Sequence, residues 1–332
     1  TDVCLIRQGE PEAAAARQVG GFPVRLPCLD VHTIGAGGGS LARLDPGGAL
    51  AVGPGSAGAE PGPACYGRGG RLPTVTDADL VLGRIPADVA LAGIGRLDRG
   101  AALAAHERAG VDPAGVIQVV DTAMVGAIRK VTVERGVDPA GLALVAFGGA
   151  GPLHACALAE ELGMAAVVVP PRAGVLSAVG AMCSSPSVEL ARTWPDSASA
   201  EGLDAARAEL ARACREALPG CQVETWLDCR YRGQSHELTV ASVGDFAAEH
   251  RRRNGYVLPD ALVEVVCLRA RGRLDPPVAY AELPAPWPPR SGRLVGPVSV
   301  AEADCAIWVP PGWTGRVGPG GSWILTRGGG AP

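Results

Sequence analysis

The sequence predicts an α/β protein followed by a smaller α+β domain with a β-rich end. Three observations carry this prediction. Short apolar runs and helical periodicity alternate between Leu142 and Cys183. A glycine-rich turn joins strand to helix within that stretch. Beyond Ser199 the pattern shifts to strands punctuated by proline and glycine. The 332 residues suit two ordinary domains, and 47% hydrophobic content is enough to fill their cores. The expected division is 1–190 and 191–332.

The elements follow in chain order. Asp2–Arg7 alternates as a strand. Residues 30–76 are rich in glycine and proline (GAGGGS, DPGG, VGPGSAGAEPGPACYGRGG), and so long a loop-like region points to function. Short strands Ala42–Leu44 and Leu50–Val52 flank the turn Asp45-Pro46-Gly47-Gly48. Asp77 reads as the cap of a helix beginning at Ala78. Ala101–Ala109 is a helix ending at Gly110. Val116, Val119, Val120, Ala123, Met124, Ala127, Ile128 and Val131 recur at helical spacing, and Gly136 closes that helix. Leu142–Phe147 is a strand, Leu153–Leu162 a helix, Ala166–Val169 a buried strand stopped by Pro170 and Pro171, and Val175–Cys183 a helix of small residues. Farther on come an amphipathic helix Leu203–Leu218, strands Val223–Arg232 and His236–Ser242, an Asp245-capped helix to Arg253, and a strand Leu262–Arg271. His250 and Arg251–Arg253 read as a solvated face of that helix. Strands near Val298–Val300, Cys305–Trp308 and Ser322–Thr326 end the chain.

Composition narrows the function classes. A net charge of −4 argues against nucleic-acid binding by bulk positive charge. No run of 18 apolar residues occurs, so no membrane helix is predicted. Ten cysteines without a CxxC pair, and no secretory signal, indicate reduced structural thiols in a cytoplasmic setting rather than a zinc ribbon or redox motif. The opening TDVCLI reads as mid-strand, so an N-terminal part is expected to be missing.

Three segments can carry chemistry. In Asp30-Val-His-Thr-Ile-Gly-Ala-Gly-Gly-Gly-Ser40, closely spaced glycines let backbone amides approach an anion. Asp30 and His32 share one face if extended, and could bind a metal, position water or orient a substrate. The spacing matches neither a Walker A nor a Rossmann fingerprint, and a plain tight loop explains it equally well. In Phe147-Gly-Gly-Ala-Gly-Pro-Leu-His154, glycines between strand and helix let a ligand lie on the backbone, and a helix N-terminus favours negative charge. His154 reads as a capping or packing residue. The third segment, Gly53 to Gly67, contains Cys65, a thiol to test for reactivity although no base is visible beside it.

Taken together, DVHTIGAGGGS, SAGAEPGPACYGRGG with PTVTDADLVLGR, and FGGAGPLHA followed by VVVPPRAGVLSAVG resemble the A-type members of the hydantoinase/oxoprolinase family. YRGQSHELTV, FAAEHRRRNGY and the closing VPPGW segment resemble that family's C-terminal region, so the likeness spans nearly the whole chain. The resemblance implies the back half of an actin-like (ribonuclease H-like) ATPase fold. It implies ATP and Mg²⁺ as cofactors, a cyclic amide as substrate, and a B-type partner in a hetero-oligomer. Thr1 and Asp2 look like the end of a DMGGTSTD-like phosphate motif, with Asp2 near Mg²⁺. Gly35, Gly37 and Gly38 would contact nucleotide, and Gly148, Gly149 and Gly151 look like the adenosine-side motif. Asp30 and His32 would line the reaction centre. Such enzymes open hydantoin or 5-oxoproline rings by phosphorylating the amide oxygen. Acetone/acetophenone-type carboxylases use similar subunits, and a truncated, non-catalytic scaffold is the third alternative. Alone, the chain is expected to be inactive, because the rest of its nucleotide site would be absent.

Overall fold

The computed structural model describes residues 1–14, 17–19, 21–24, 28–88, 90–91, 93–195, 201–284 and 288–328. The chain is of mixed α/β class and divides into two units, Thr1–Ser177 with Pro284–Pro332, and Ala178–Leu283. This differs from the expected division at residue 190. The tail does not stay with the second unit, because its apolar strands complete the sheet of the first.

In the first unit β1 (Asp2–Val3) pairs antiparallel with β2 (His32–Thr33), and β3 (Ser40–Leu44) with β4 (Leu50–Ser56). Three helices follow: α1 (Val75–Val81), α2 (Arg99–Ala109) and α3 (Pro113–Val131). Each begins on a side-chain cap that satisfies an otherwise free amide. Thr74 caps α1, Asp98 accepts from the Ala101 amide, and Asp112 accepts from the Gly115 amide. α1 starts three residues before the expected position. Asp77 lies inside it, taking hydrogen bonds from the Thr74 amide and hydroxyl at 2.9 and 2.8 Å in a capping box. The same carboxylate accepts the amides of Ala64 and Cys65, so one buried anion gathers the proline-rich loop onto α1.

α3 buries Val116, Val120, Met124, Ala127, Ile128 and Val131, as its periodicity predicts. Ile117 and Val125 are buried as well, whereas Ala123 faces solvent. β5 (Ala143–Val145), α4 (Gly151–Glu161) and β6 (Ala166–Val169) form a parallel βαβ unit, with Leu144 opposite Val167.

In the second unit β7 (Ser187–Thr193), α5 (Leu203–Ala217), β8 (Gln222–Tyr231), β9 (Leu238–Val240), α6 (Phe246–Asn254) and β10 (Val263–Arg273) succeed one another. The four strands form an antiparallel sheet in the order β7-β10-β8-β9. Leu203, Leu210 and Cys214 of α5 pack with Leu227, Leu268 and Ala270 of that sheet. The solvated face expected for α6 needs correction at His250. That ring is fully buried among Tyr231, Phe246 and Tyr256, with Nδ1 2.9 Å from the Tyr256 carbonyl oxygen. Arg251–Arg253 are exposed as expected.

The chain then re-enters the first unit as β11 (Arg293–Val295), β12 (Val298–Ala301), β13 (Ala306–Val309), β14 (Trp313–Val317) and β15 (Trp323–Arg327). β15 pairs antiparallel with β6, giving a five-stranded sheet in the order β5-β6-β15-β14-β11. The Arg290 guanidinium fastens this return, donating to the carbonyls of Val169 and Pro170 while pairing with Glu302. β7, β11 and β14 lie outside the expected strands. β14 reads poorly because Gly315 interrupts a five-residue run.

Leu325 lies fully buried on β15, in one core with Val167, Val169, Trp313 and Trp323. Leu325→Ala is expected to destabilise the first unit by about 2–5 kcal/mol. Denaturant unfolding of wild type and variant checks this, and an unchanged midpoint would remove β15 from the core.

Candidate functional site

A cleft of about 580 Å³ opens in the first unit. Thr1, Asp2 and Val3 line it together with Gly37. Met124 and Ile128 of α3, Leu144 of β5, and Phe147, Gly148 and Gly151 ahead of and at the start of α4 line it too. Its walls are largely apolar, and the glycine backbone and Asp2 supply polar groups, the usual make-up of a small-molecule site. Of the residues singled out in the sequence, the cleft brings together Thr1, Asp2, Gly37, Gly148 and Gly151.

The glycines divide by role. At Gly35 an added Cβ would stand 2.8 Å from Pro54 Cβ, and at Gly38 it would stand 2.7 Å from Thr76 Oγ1 and 3.5 Å from Ala150 Cβ. The Gly38 carbonyl accepts both the Thr76 amide (2.8 Å) and its hydroxyl (2.9 Å). Gly35 and Gly38 therefore serve close packing. Gly37 has nothing within 4 Å of a Cβ position, and Ser40 Oγ accepts its amide at 3.0 Å.

Gly148, Gly149 and Gly151 have equally open Cβ positions. Gly148 sits at φ +84°, a conformation that L side chains rarely adopt, and its amide donates to the Ala173 carbonyl. No side chain caps α4, Pro152 has no amide hydrogen and the Leu153 amide donates to the Ala150 carbonyl, so Gly151 supplies the first-turn amide that faces outward, with the positive end of the helix dipole behind it.

β1 presents Asp2 at the cleft, where its carboxylate accepts the Thr33 hydroxyl at 2.6 Å. The Thr1 hydroxyl donates to the Ala36 carbonyl. Asp30 and His32, expected to line the reaction centre, are not among the residues of the cleft. Asp30 is instead ion-paired with Arg135, which also stands 3.5 Å from Glu12. His32 lies opposite Val3 in the β1–β2 pair. Cys65 is fully buried, and burial together with the nearby Asp77 carboxylate raises its thiol pKa, so it supplies no thiolate.

A buried ionic group lies beside these elements that the sequence does not announce. His154, neither a cap nor an ordinary packing residue, is fully buried on α4 with Nδ1 2.7 Å from Asp121 Oδ1 of α3. Its Nε2 stands 3.6 Å from Asp79 Oδ2 of α1, an ionic contact too long for a hydrogen bond. Among the described residues neither oxygen of fully buried Asp79 has a hydrogen-bond partner, and burial pushes its carboxyl up to about 6 against the pull of His154 and Arg84. The signal that could have found it is an aspartate inside each apolar helical window, Asp79 beside Leu80 and Asp121 beside Val120.

The division among the glycines can be measured. Gly35→Ala is expected to destabilise the protein by about 1–3 kcal/mol through overpacking against Pro54. Gly37→Ala should change stability by less than about 1 kcal/mol. Thermal melts of the two variants check this, and equal losses would contradict the assignment.

Residues 1–189 match the family model described as hydantoinase/oxoprolinase. The chain is 33% identical to the caprolactamase alpha subunit of Pseudomonas jessenii over 98% of its own length and 57% of that protein. The crystal structure of the ATP-dependent caprolactamase from that organism superposes with a TM-score of 0.64, covering 92% of this chain and 54% of that one at 33% identity. The chain is 40% identical to the acetophenone carboxylase gamma subunit of Aromatoleum aromaticum over 47% of its length and 22% of that protein. Nucleotide-free acetone carboxylase shares the fold, with a TM-score of 0.84 over 98% of this chain and 56% of that one at 23% identity. The chain thus spans little more than half, or less, of the relatives it matches. With the family model covering more than half of its residues, the chain belongs to the hydantoinase/oxoprolinase family.

Proposed function

We propose that this chain is part of an A-type component of an ATP-dependent enzyme that opens cyclic amides, and that its first unit is the back half of an actin-like ATPase core. The observation that carries the reading is the meeting of Asp2, Gly37 and the uncapped start of α4 on one apolar-walled cleft. The open Cβ positions at Gly148, Gly149 and Gly151 fit a nucleotide's adenosine side lying against bare backbone. Thr1 and Asp2 occupy the phosphate side, where Asp2 would hold Mg²⁺ through water. Bound there, ATP would supply the phosphoryl group that turns an unreactive amide oxygen into a leaving group. The protein's part is to fix position, exclude water with the apolar walls and direct amide dipoles at developing charge.

The caprolactamase likeness favours a lactam as substrate, since the relative named for that chemistry aligns with nearly the whole chain. That relative is named as one subunit of its enzyme, which supports a B-type partner and a hetero-oligomer. Asp30 and His32 have no part in this scheme. A second reading, a component of a ketone carboxylase, rests on the 40% identity to the acetophenone enzyme.

The test is phosphate release from ATP by the complete enzyme, assembled with its partner, across lactams and across ketones with bicarbonate. At least about tenfold stimulation by a lactam is expected, a loss of roughly 1.4 kcal/mol from the barrier. Stimulation by ketone plus bicarbonate alone would establish the second reading, and no stimulation by either would overturn both.

A further inference from the structure

His154 joins three helices at a depth no solvent reaches. Its ring lies between Asp121 of α3, at 2.7 Å, and Asp79 of α1, at 3.6 Å. Arg84, just beyond α1, stands with Nη1 3.8 Å from the other Asp79 oxygen. Among the described elements, β5, β6 and β13 also pack against α4 and carry no titratable side chain. The charged groups facing His154 are therefore Asp79, Asp121 and Arg84.

With Asp79 ionised, these charges balance when His154 carries a proton. Two carboxylates and one guanidinium leave a net charge of −1 on the cluster, which a protonated His154 cancels. An uncancelled charge at this depth is strongly unfavourable. The proton therefore bears on packing: with it, α4 is drawn to α1 and α3, and without it Asp79 keeps Arg84, at 3.8 Å, as its counter-charge. His154 sits in the first turn of α4, three residues after Gly151, so the ring's position sets that of the glycine loop ahead of it.

We propose that Asp79, His154 and Asp121 form a proton-dependent clamp that holds the first turn of α4, and with it the Gly148–Gly151 loop, against α1 and α3. His154 acts as a positioning residue and does not line the cleft. Loss of its proton loosens the loop.

The direction in pH follows from the same groups. Burial works against the imidazolium, but the hydrogen bond to Asp121 and the charge of Asp79 outweigh it and raise the pKa of His154 above its usual 6.5. Burial raises Asp79 from 3.8 to about 6. Both groups bind protons more tightly in the folded state, so each contributes stability at low pH that is lost as pH rises. Asp79 loses its share between about pH 4 and 6. The share of His154 is complete below about pH 6.5 and lost as pH climbs through the raised value.

The experiment compares the wild type with His154→Gln and Asp79→Asn between about pH 6 and pH 9. The wild-type Tm is expected to fall by at least about 3 °C more than that of either variant. Ring-nitrogen NMR, assigned by the signal missing from His154→Gln, should show His154 protonated at about pH 6 and titrating above 6.5. Amide hydrogen exchange over Gly149–Leu153, corrected for the intrinsic pH effect, should quicken toward high pH in the wild type alone. A neutral His154 at the acid end of the range, or the same Tm slope in all three proteins, would overturn the clamp. The NMR readout needs no variant to fold beyond the one used for assignment. No readout needs a ligand, so the clamp and the nucleotide reading can fail independently.

Discussion

The glycine run that carries Gly37 into the cleft is held by the close approach of Gly38 to Thr76. One carbonyl oxygen accepts both the amide and the hydroxyl of Thr76, at distances that leave no room for a side chain at Gly38. Ala150 would lie only 3.5 Å from such a side chain. The start of α1, the glycine run after β2 and the loop before α4 therefore meet within one van der Waals layer. That contact brings Gly37 to the same cleft as Gly148 and Gly151, residues more than a hundred positions away.

Around this contact the protein uses buried carboxylates as fasteners, and they differ in kind. Asp77 takes hydrogen bonds from Thr74, Ala64 and Cys65, so it holds its loop without help from a neighbouring charge. Asp79, two residues on, makes no hydrogen bond among the described residues and relies on the charges of His154 and Arg84. A hydrogen-bonded anion gives rigidity, whereas one held by charge alone depends on its partner's proton. The two lie on one short helix, so α1 carries a fixed anchor and a conditional one.

Regular elements are more legible in the sequence than their assembly. Ala166–Val169 and the α3 periodicity can be read because apolar spacing reports burial directly. The return of the tail cannot. The pairing of Leu325 with Val167 joins positions more than 150 residues apart, and no local pattern encodes that register. Within the site, the open glycines of FGGAG are legible, because glycine there leaves the backbone bare. Gly35 and Gly38 look identical in sequence to Gly37, and only the positions of Pro54 and Thr76 tell packing glycines from an exposed one. Asp30 looks chemically available until Arg135, distant in sequence, is placed beside it. His154 looks ordinary because its two carboxylates come from other helices.

If Thr1, Asp2 and Gly37 on one side and Phe147–Gly151 on the other contact one nucleotide, a light-activated adenine should mark the second of them. Photolabelling of the assembled enzyme with 8-azido-ATP, followed by peptide mapping, reads this out. ATP-protectable label is expected on the peptide containing Gly148–Gly151. Protectable label confined to the second unit, Ala178–Leu283, would contradict a nucleotide bound in the cleft.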